Sequence, residues 1–142
     1  MKDNPRARFR DFVALNIEAH KILPEAEERS LIGDGISKFK LDGGQARGVV
    51  AVVAGESDQL LASEISRNML NVLHQLIGAR RAVDKKRFDQ GVTILKALVK
   101  GHIGDDAARA WLKRLVEQND LKVRGSGLFR RKRWFRKIKA AA

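Results

Sequence analysis

Helical periodicity in short stretches, broken by strong stop signals, sets the main limit on how this chain folds. A helix that packs against a core carries apolar residues three and four positions apart. That pattern recurs in about six stretches before residue 120, separated by Pro, Gly or a capping Asp. The expected fold is therefore all-α, a compact bundle of about six helices, followed by a basic C-terminal tail.

Each stretch has its own start and face. The first helix is expected from Pro5 to Ile22, with Asn4 as cap and Phe9, Phe12, Val13 and Ile17 on one side. Pro24 opens a second, with Glu25, Glu27 and Glu28 placed to complement the helix dipole and Leu31, Ile32, Ile36 and Phe39 as its buried face. Gly33 and Gly35 weaken that helix by about 1 kcal/mol each relative to Ala. Close packing is the simpler explanation of them and a hinge the other. Asp42-Gly43-Gly44-Gln45 has the spacing of a capping box and leads into Val49, Val50, Val52 and Val53, apolar nearly all round. β-branched runs also suit a strand, but the capping signal favours a central buried helix. Ser57 or Asp58 is expected to cap a fourth helix, with Leu61, Ile65, Met69, Val72, Leu73 and Leu76 inward and its end near Ile77, before Gly78. A fifth should run from Lys85 to Lys100 with Phe88, Val92, Leu95, Leu98 and Val99 inward. Asp105 is expected to cap a sixth, through Gln118, with Ala108, Trp111, Leu112, Leu115 and Val116 inward.

The charge is unevenly placed. The formal net charge is +12, from 29 Lys and Arg against 17 Asp and Glu. All the acids lie between Asp3 and Asp120, whereas nine of the bases lie from Lys122 onward. This divides the chain into a helical domain, 1–120, and a basic, aromatic-bearing tail, 121–142. Gly125-Ser126-Gly127 reads as a turn or joint within the tail. Around it, Lys122-Val123-Arg124 and Leu128-Phe129-Arg130 can pair as a short hairpin over 121–130; alternatively, residues after Leu128 form a helix.

Several function classes are disfavoured. The chain has no cysteine, which excludes disulfides, thiolate metal sites and a Cys nucleophile and fits a reducing cytoplasm. The N-terminal segment has no apolar secretory region, and the most apolar run, Gly48 to Ala54, is far too short to span a bilayer. His20, His74 and His102 lie in three different elements without metal-ligand spacing; His20 and His74 read as partly buried packing residues. Asp105-Asp106 and the Glu25 to Glu28 cluster sit at helix starts, where capping and dipole effects explain them. No catalytic, cofactor-binding or metal residue is assigned, and an enzyme is not expected.

What remains is chemistry suited to a polyanion. Lys122, Arg124, Arg130, Arg131, Lys132, Arg133, Arg136, Lys137 and Lys139 can neutralise phosphates. Phe129, Trp134 and Phe135 can stack on unpaired bases or wedge into a groove. A second basic patch, Arg80, Arg81, Lys85, Lys86 and Arg87, can extend the footprint. The fifth and sixth helices around a glycine-bearing turn also have the outline of a helix-turn-helix, with a hairpin after them as a wing. The mixed charges of the sixth helix do not make a plain recognition surface.

From Leu23-Pro24-Glu25 through Ile32, Phe39 and Asp42 to Val53, a helix hairpin leads into a buried Val/Ala helix. In that feature, residues 23–77 resemble the helical domains of the TerB-like (tellurite-resistance) class. The acidic pattern linked to metal in that class is missing, so the resemblance implies a helical adaptor or scaffold and no functional residues. The residues themselves point first to a non-enzymatic nucleic-acid-binding or regulatory module, for DNA or RNA. The alternative is a helical adaptor whose tail docks on an anionic membrane or an acidic protein. Oligomeric state is left open.

Overall fold

The computed structural model of the chain describes residues 4–18, 21–127 and 131–139. They are mostly helical, as expected. Two compact units divide the chain, Met1–Glu64 and Ile65–Ala142.

The first unit holds α1 (Pro5–Ile17), α2 (Glu25–Ser37) and α3 (Gly43–Glu56), with α3 packed against both others. Its starts are legible in the sequence. The Asn4 side chain accepts from the Arg6 amide at 3.0 Å. Asp42 and Gln45 close a full capping box, with bonds of 2.7 and 3.0 Å, and fix the Val-rich segment as a helix rather than a strand.

Helix α1 stops at Ile17 rather than Ile22, because Ile22–Leu23 forms a two-residue strand, β1. It pairs in parallel with β2 (Leu60–Leu61), Ile22 opposite Leu60 and Leu23 opposite Leu61. Leu23 precedes Pro24, a position that favours extended backbone. The same pairing delays the fourth helix. Neither Ser57 nor Asp58 starts the fourth helix: Ser57 is the C-cap of α3, Asp58 follows it with a left-handed φ of 55°, and α4 (Ala62–Ile77) starts only past β2.

Phe9, Val13, Ile17, Leu23, Leu31, Leu41, Ala46, Val50, Val53, Ala54 and Leu61 form the core of this unit. Phe12 and Phe39 flank Phe9, with Phe39 5.2 Å from it between ring centroids. The expected faces of α2 and α3 need correction. Ile36 is exposed, and Gly35 takes the inward position. Helix α3 is buried on one side only: Val50 and Val53 face the core, while Val52 is 52% exposed.

The two α2 glycines then separate. A Cβ on Gly35 would lie 2.7 Å from Phe9 Cζ and 2.9 Å from Ala46 Cβ, so this glycine is where three helices meet. A Cβ on Gly33 would meet nothing within 4 Å. Gly33→Ala is expected to raise unfolding stability by about 1 kcal/mol by removing a poor helix former. Gly35→Ala is expected to lower it by about 1–3 kcal/mol through overpacking. Urea unfolding of the two variants reads both signs; a gain at both positions would remove the close-packing explanation.

The second unit comprises most of α4, then α5 (Lys85–Leu98), α6 (Asp105–Gln118) and the short α7 (Arg133–Arg136). Gly78, at φ 50°, closes α4 into one 3₁₀ turn through Arg80. Asp84 caps α5 by accepting the Arg87 amide at 2.8 Å. Asp105 is not the cap of α6: Gly104 takes that place, and the Asp105 carboxylate turns to Arg109 instead. Met69, Leu73, Phe88, Val92, Leu95, Ala108, Leu112 and Val116 are buried, and the Trp111 indole donates to Ser66 Oγ at 2.9 Å. His74 is exposed rather than packed inside, and His20 lies outside the described residues.

Candidate nucleic-acid interface

Division of the chain into units sharpens where its charge resides. Residues 65–142 carry 20 bases against 6 acids, a net +14, whereas residues 1–64 carry 9 against 11, a net −2. All of the excess positive charge therefore belongs to the second unit.

Two backbone hydrogen bonds bring its basic clusters together. Val83 donates to the Lys122 carbonyl and Arg124 to the Val83 carbonyl, both at 2.8 Å, forming a parallel bridge between Val83 and Val123. The loop bearing Arg80 and Arg81 is thus set beside Lys122 and Arg124. The Arg124 guanidinium also donates to the Arg80 carbonyl at 3.3 Å. Downstream, Ser126 pairs with Arg131 in an antiparallel bridge; Val123, on one side of the expected hairpin, pairs with Val83 instead, and Leu128 on its other side lies outside the described residues. Phe129 and Arg130 lie outside the described residues. The turn is followed by helix, since residues 133–136 form α7.

Aromatic side chains hold this arrangement. Phe135 is buried, with its ring 6.1 Å from Phe88 at 89° and 5.6 Å from Trp134. Trp134 lies 5.4 Å from Phe88 and donates its indole N–H to the Arg124 carbonyl at 3.1 Å. The Lys113 ammonium sits 5.4 Å above the Phe135 ring and donates to the Ile138 carbonyl at 3.0 Å. Sequence reasoning aims these two aromatics outward at bases. In the fold they are anchors that fasten residues 131–139 to α5 and α6. Lys113, one of the mixed charges of the sixth helix, is half-buried, and its contact with Phe135 is one that sequence reasoning misses.

Around the anchors the cations face water. Arg80, Arg81, Lys85, Lys86, Lys122, Arg124, Arg131, Lys132, Arg133, Arg136, Lys137 and Lys139 are all exposed. Arg87 is half-buried and pairs with Asp84 at 3.4 Å. Lys85, Lys86, Lys122, Arg133, Arg136, Lys137 and Lys139 have no acidic partner among the described residues, so their charge is uncompensated at short range.

Helix α6 contrasts with this surface. Its N-terminal turn, where a recognition helix would meet base edges, carries Asp105 and Asp106. Arg109 is consumed internally, holding Asp105 at 2.7 Å and Asp89 of α5 at 2.9 Å. Its hydrogen bond, with the charges of Arg109 and Lys96, keeps the Asp105 carboxyl below its usual pKa of 3.8. A depressed folded-state pKa gives stability that is present above the unfolded value and is lost as pH falls through the folded one. Asp105→Asn is therefore expected to lower stability slightly at pH 7 and to leave it unchanged near pH 2. The effect is small because the pair is exposed, and thermal melts at the two pH values read it.

No helix among the described residues is long and apolar enough to cross a membrane. Comparison with protein-family models, curated proteins and solved structures finds no match for this chain.

Proposed function

We propose that this chain is a non-enzymatic, cytoplasmic nucleic-acid-binding module that holds a double-stranded phosphate backbone on the basic surface of residues 65–142. The observation that carries this reading is the Val83–Val123 bridge, which sets Arg80 and Arg81 beside Lys122 and Arg124, from clusters that are distant in sequence. Neutralised phosphates release counterions, so such a surface binds strongly at low salt and without reading sequence. Packing of Trp134 and Phe135 on Phe88 favours a duplex over an unpaired strand, because the Phe135 ring is buried and the half-buried Trp134 ring is engaged with Phe88 and the Arg124 carbonyl. It also weakens the membrane alternative, which needs them at the lipid interface.

Binding of a mixed-sequence duplex and of a single strand, measured across salt, tests the proposal. Six neutralised phosphates would give a slope of about −5 in log K against log salt. The duplex should bind more tightly than the strand, with little dependence on sequence. No salt-dependent binding to either form would overturn the reading. Binding to anionic vesicles alone would assign the surface to an adaptor.

A further inference from the structure

We propose that Ser126 is a phosphorylation site whose phosphate is held by Lys85 and Lys86 and withdraws them from the nucleic acid; the regulatory half of this rests on the nucleic-acid reading above. Ser126 is exposed and lines a surface groove of about 720 Å³ with Lys85, Lys86 and Arg87 from the start of α5. Two acids, Asp84 and Asp89, also face the groove, and both are already paired, Asp84 with Arg87 and Asp89 with Arg109. That leaves two ammonium groups without an acidic partner among the described residues, beside a hydroxyl that makes no hydrogen bond there. A phosphate of charge about −1.5 to −2 matches those two ammoniums. The other hydroxyl of the groove, on Thr93, is engaged with the Asp89 carbonyl at 3.2 Å within α5.

The surroundings of Ser126 also suit a kinase. Gly125 and Gly127 flank it, Gly127 at φ 85°, so once the Ser126–Arg131 bridge opens the backbone can extend into an active site without strain from side chains. Lys122 and Arg124 precede it and Arg131 follows, which fits a serine kinase that selects cations around its acceptor. In the transfer, Ser126 Oγ attacks the γ-phosphorus of a nucleoside triphosphate held by that kinase. The Oγ–P bond forms, the bond from phosphorus to the β,γ-bridging oxygen breaks, and the nucleoside diphosphate leaves. The hydroxyl proton passes to the kinase's base.

The test uses the full chain in two forms, one treated with cation-selecting serine kinases and ATP and one with phosphoserine installed at position 126. Mass spectrometry should place phosphate on Ser126 in the treated chain, and Ser126→Ala should abolish it. Phosphorus NMR should put the second phosphate pKa below about 6, because neighbouring cations favour the dianion. Lys85→Ala with Lys86→Ala should return it towards that value. Duplex affinity of the phosphorylated chain should fall at least tenfold at low salt, with the salt slope smaller by about 2. No phosphate on Ser126, or a phosphorus titration indifferent to the two lysines, overturns the proposal. If the unmodified chain binds no duplex, the nucleic-acid reading falls by itself, and the phosphorus titration still decides whether the groove holds the phosphate.

Discussion

Replacing Lys132, Arg133, Arg136 and Lys137 together with glutamine is expected to lower duplex affinity by about three orders of magnitude near 0.1 M salt. The estimate follows from counterion release. Each lost phosphate contact removes about 0.9 from the slope of log K against log salt, so four contacts remove about 3.6. If the two binding curves converge near 1 M salt, that slope difference becomes a factor of about 10³ to 10⁴ at 0.1 M. The fold should hardly notice. All four side chains are exposed, none has an acidic partner among the described residues, and glutamine keeps helix propensity close to that of Lys and Arg. An unchanged melting temperature together with an unchanged slope would remove these residues from the interface. Arg109→Gln supplies the contrast. That guanidinium is shared between Asp105 and Asp89, so its loss should reduce stability and leave the slope nearly as it was.

The difference between those variants rests on partners, and partners are what the sequence conveys least. Charge sums are additive along a chain, so the basicity of residues 121–142 is visible without any structure. Two caps are visible for a related reason: Asn4 and the Asp42–Gln45 box act over two or three residues. Pairing across the chain has no such local mark. Ile22–Leu23 and Leu60–Leu61 are too short to show a strand period, and each reads as the edge of a neighbouring helix. Val83 and Val123 are single apolar residues among charges, a weak sign of a buried bridge that only their meeting explains. The buried face of α2 is not legible in the sequence because Gly35 has no side chain to register in a hydrophobic pattern, although its emptiness is what lets Phe9 and Ala46 approach. The same limit hid the purpose of the aromatics near the C-terminus. Their partner Phe88 lies more than 40 residues earlier, and beside so many cations they resemble a stacking surface.

That hidden purpose makes Phe135→Ala a strongly destabilising truncation in the second unit. Phe135 is 9% exposed, meets Phe88 edge-on, and has the Lys113 ammonium over its ring. Removing a buried phenyl ring costs about 3 kcal/mol or more, and loss of the cation contact adds about 0.5–1 kcal/mol. Two responses compete. The whole unit can become less stable, or residues 131–139 can come away while α4, α5 and α6 keep their packing. The second needs the loss of the Trp134 and Phe135 contacts, the Lys113–Ile138 bond and the Ser126–Arg131 bridge but leaves the helix packing intact, so it is reached at lower free energy. Hydrogen exchange distinguishes them. The amides of Phe135, Arg136 and Lys137, bonded within their own turn, should lose protection, and so should Ser126, bonded to the Arg131 carbonyl. The amides of α5 and α6 should stay protected, and Trp134 emission should shift to the red as its indole leaves Phe88. Equal loss of protection throughout the unit would mean that the basic segment is integral to the core rather than fastened onto it. Because Phe135→Ala removes no charge, it should retain most of the salt slope that the four-glutamine variant loses.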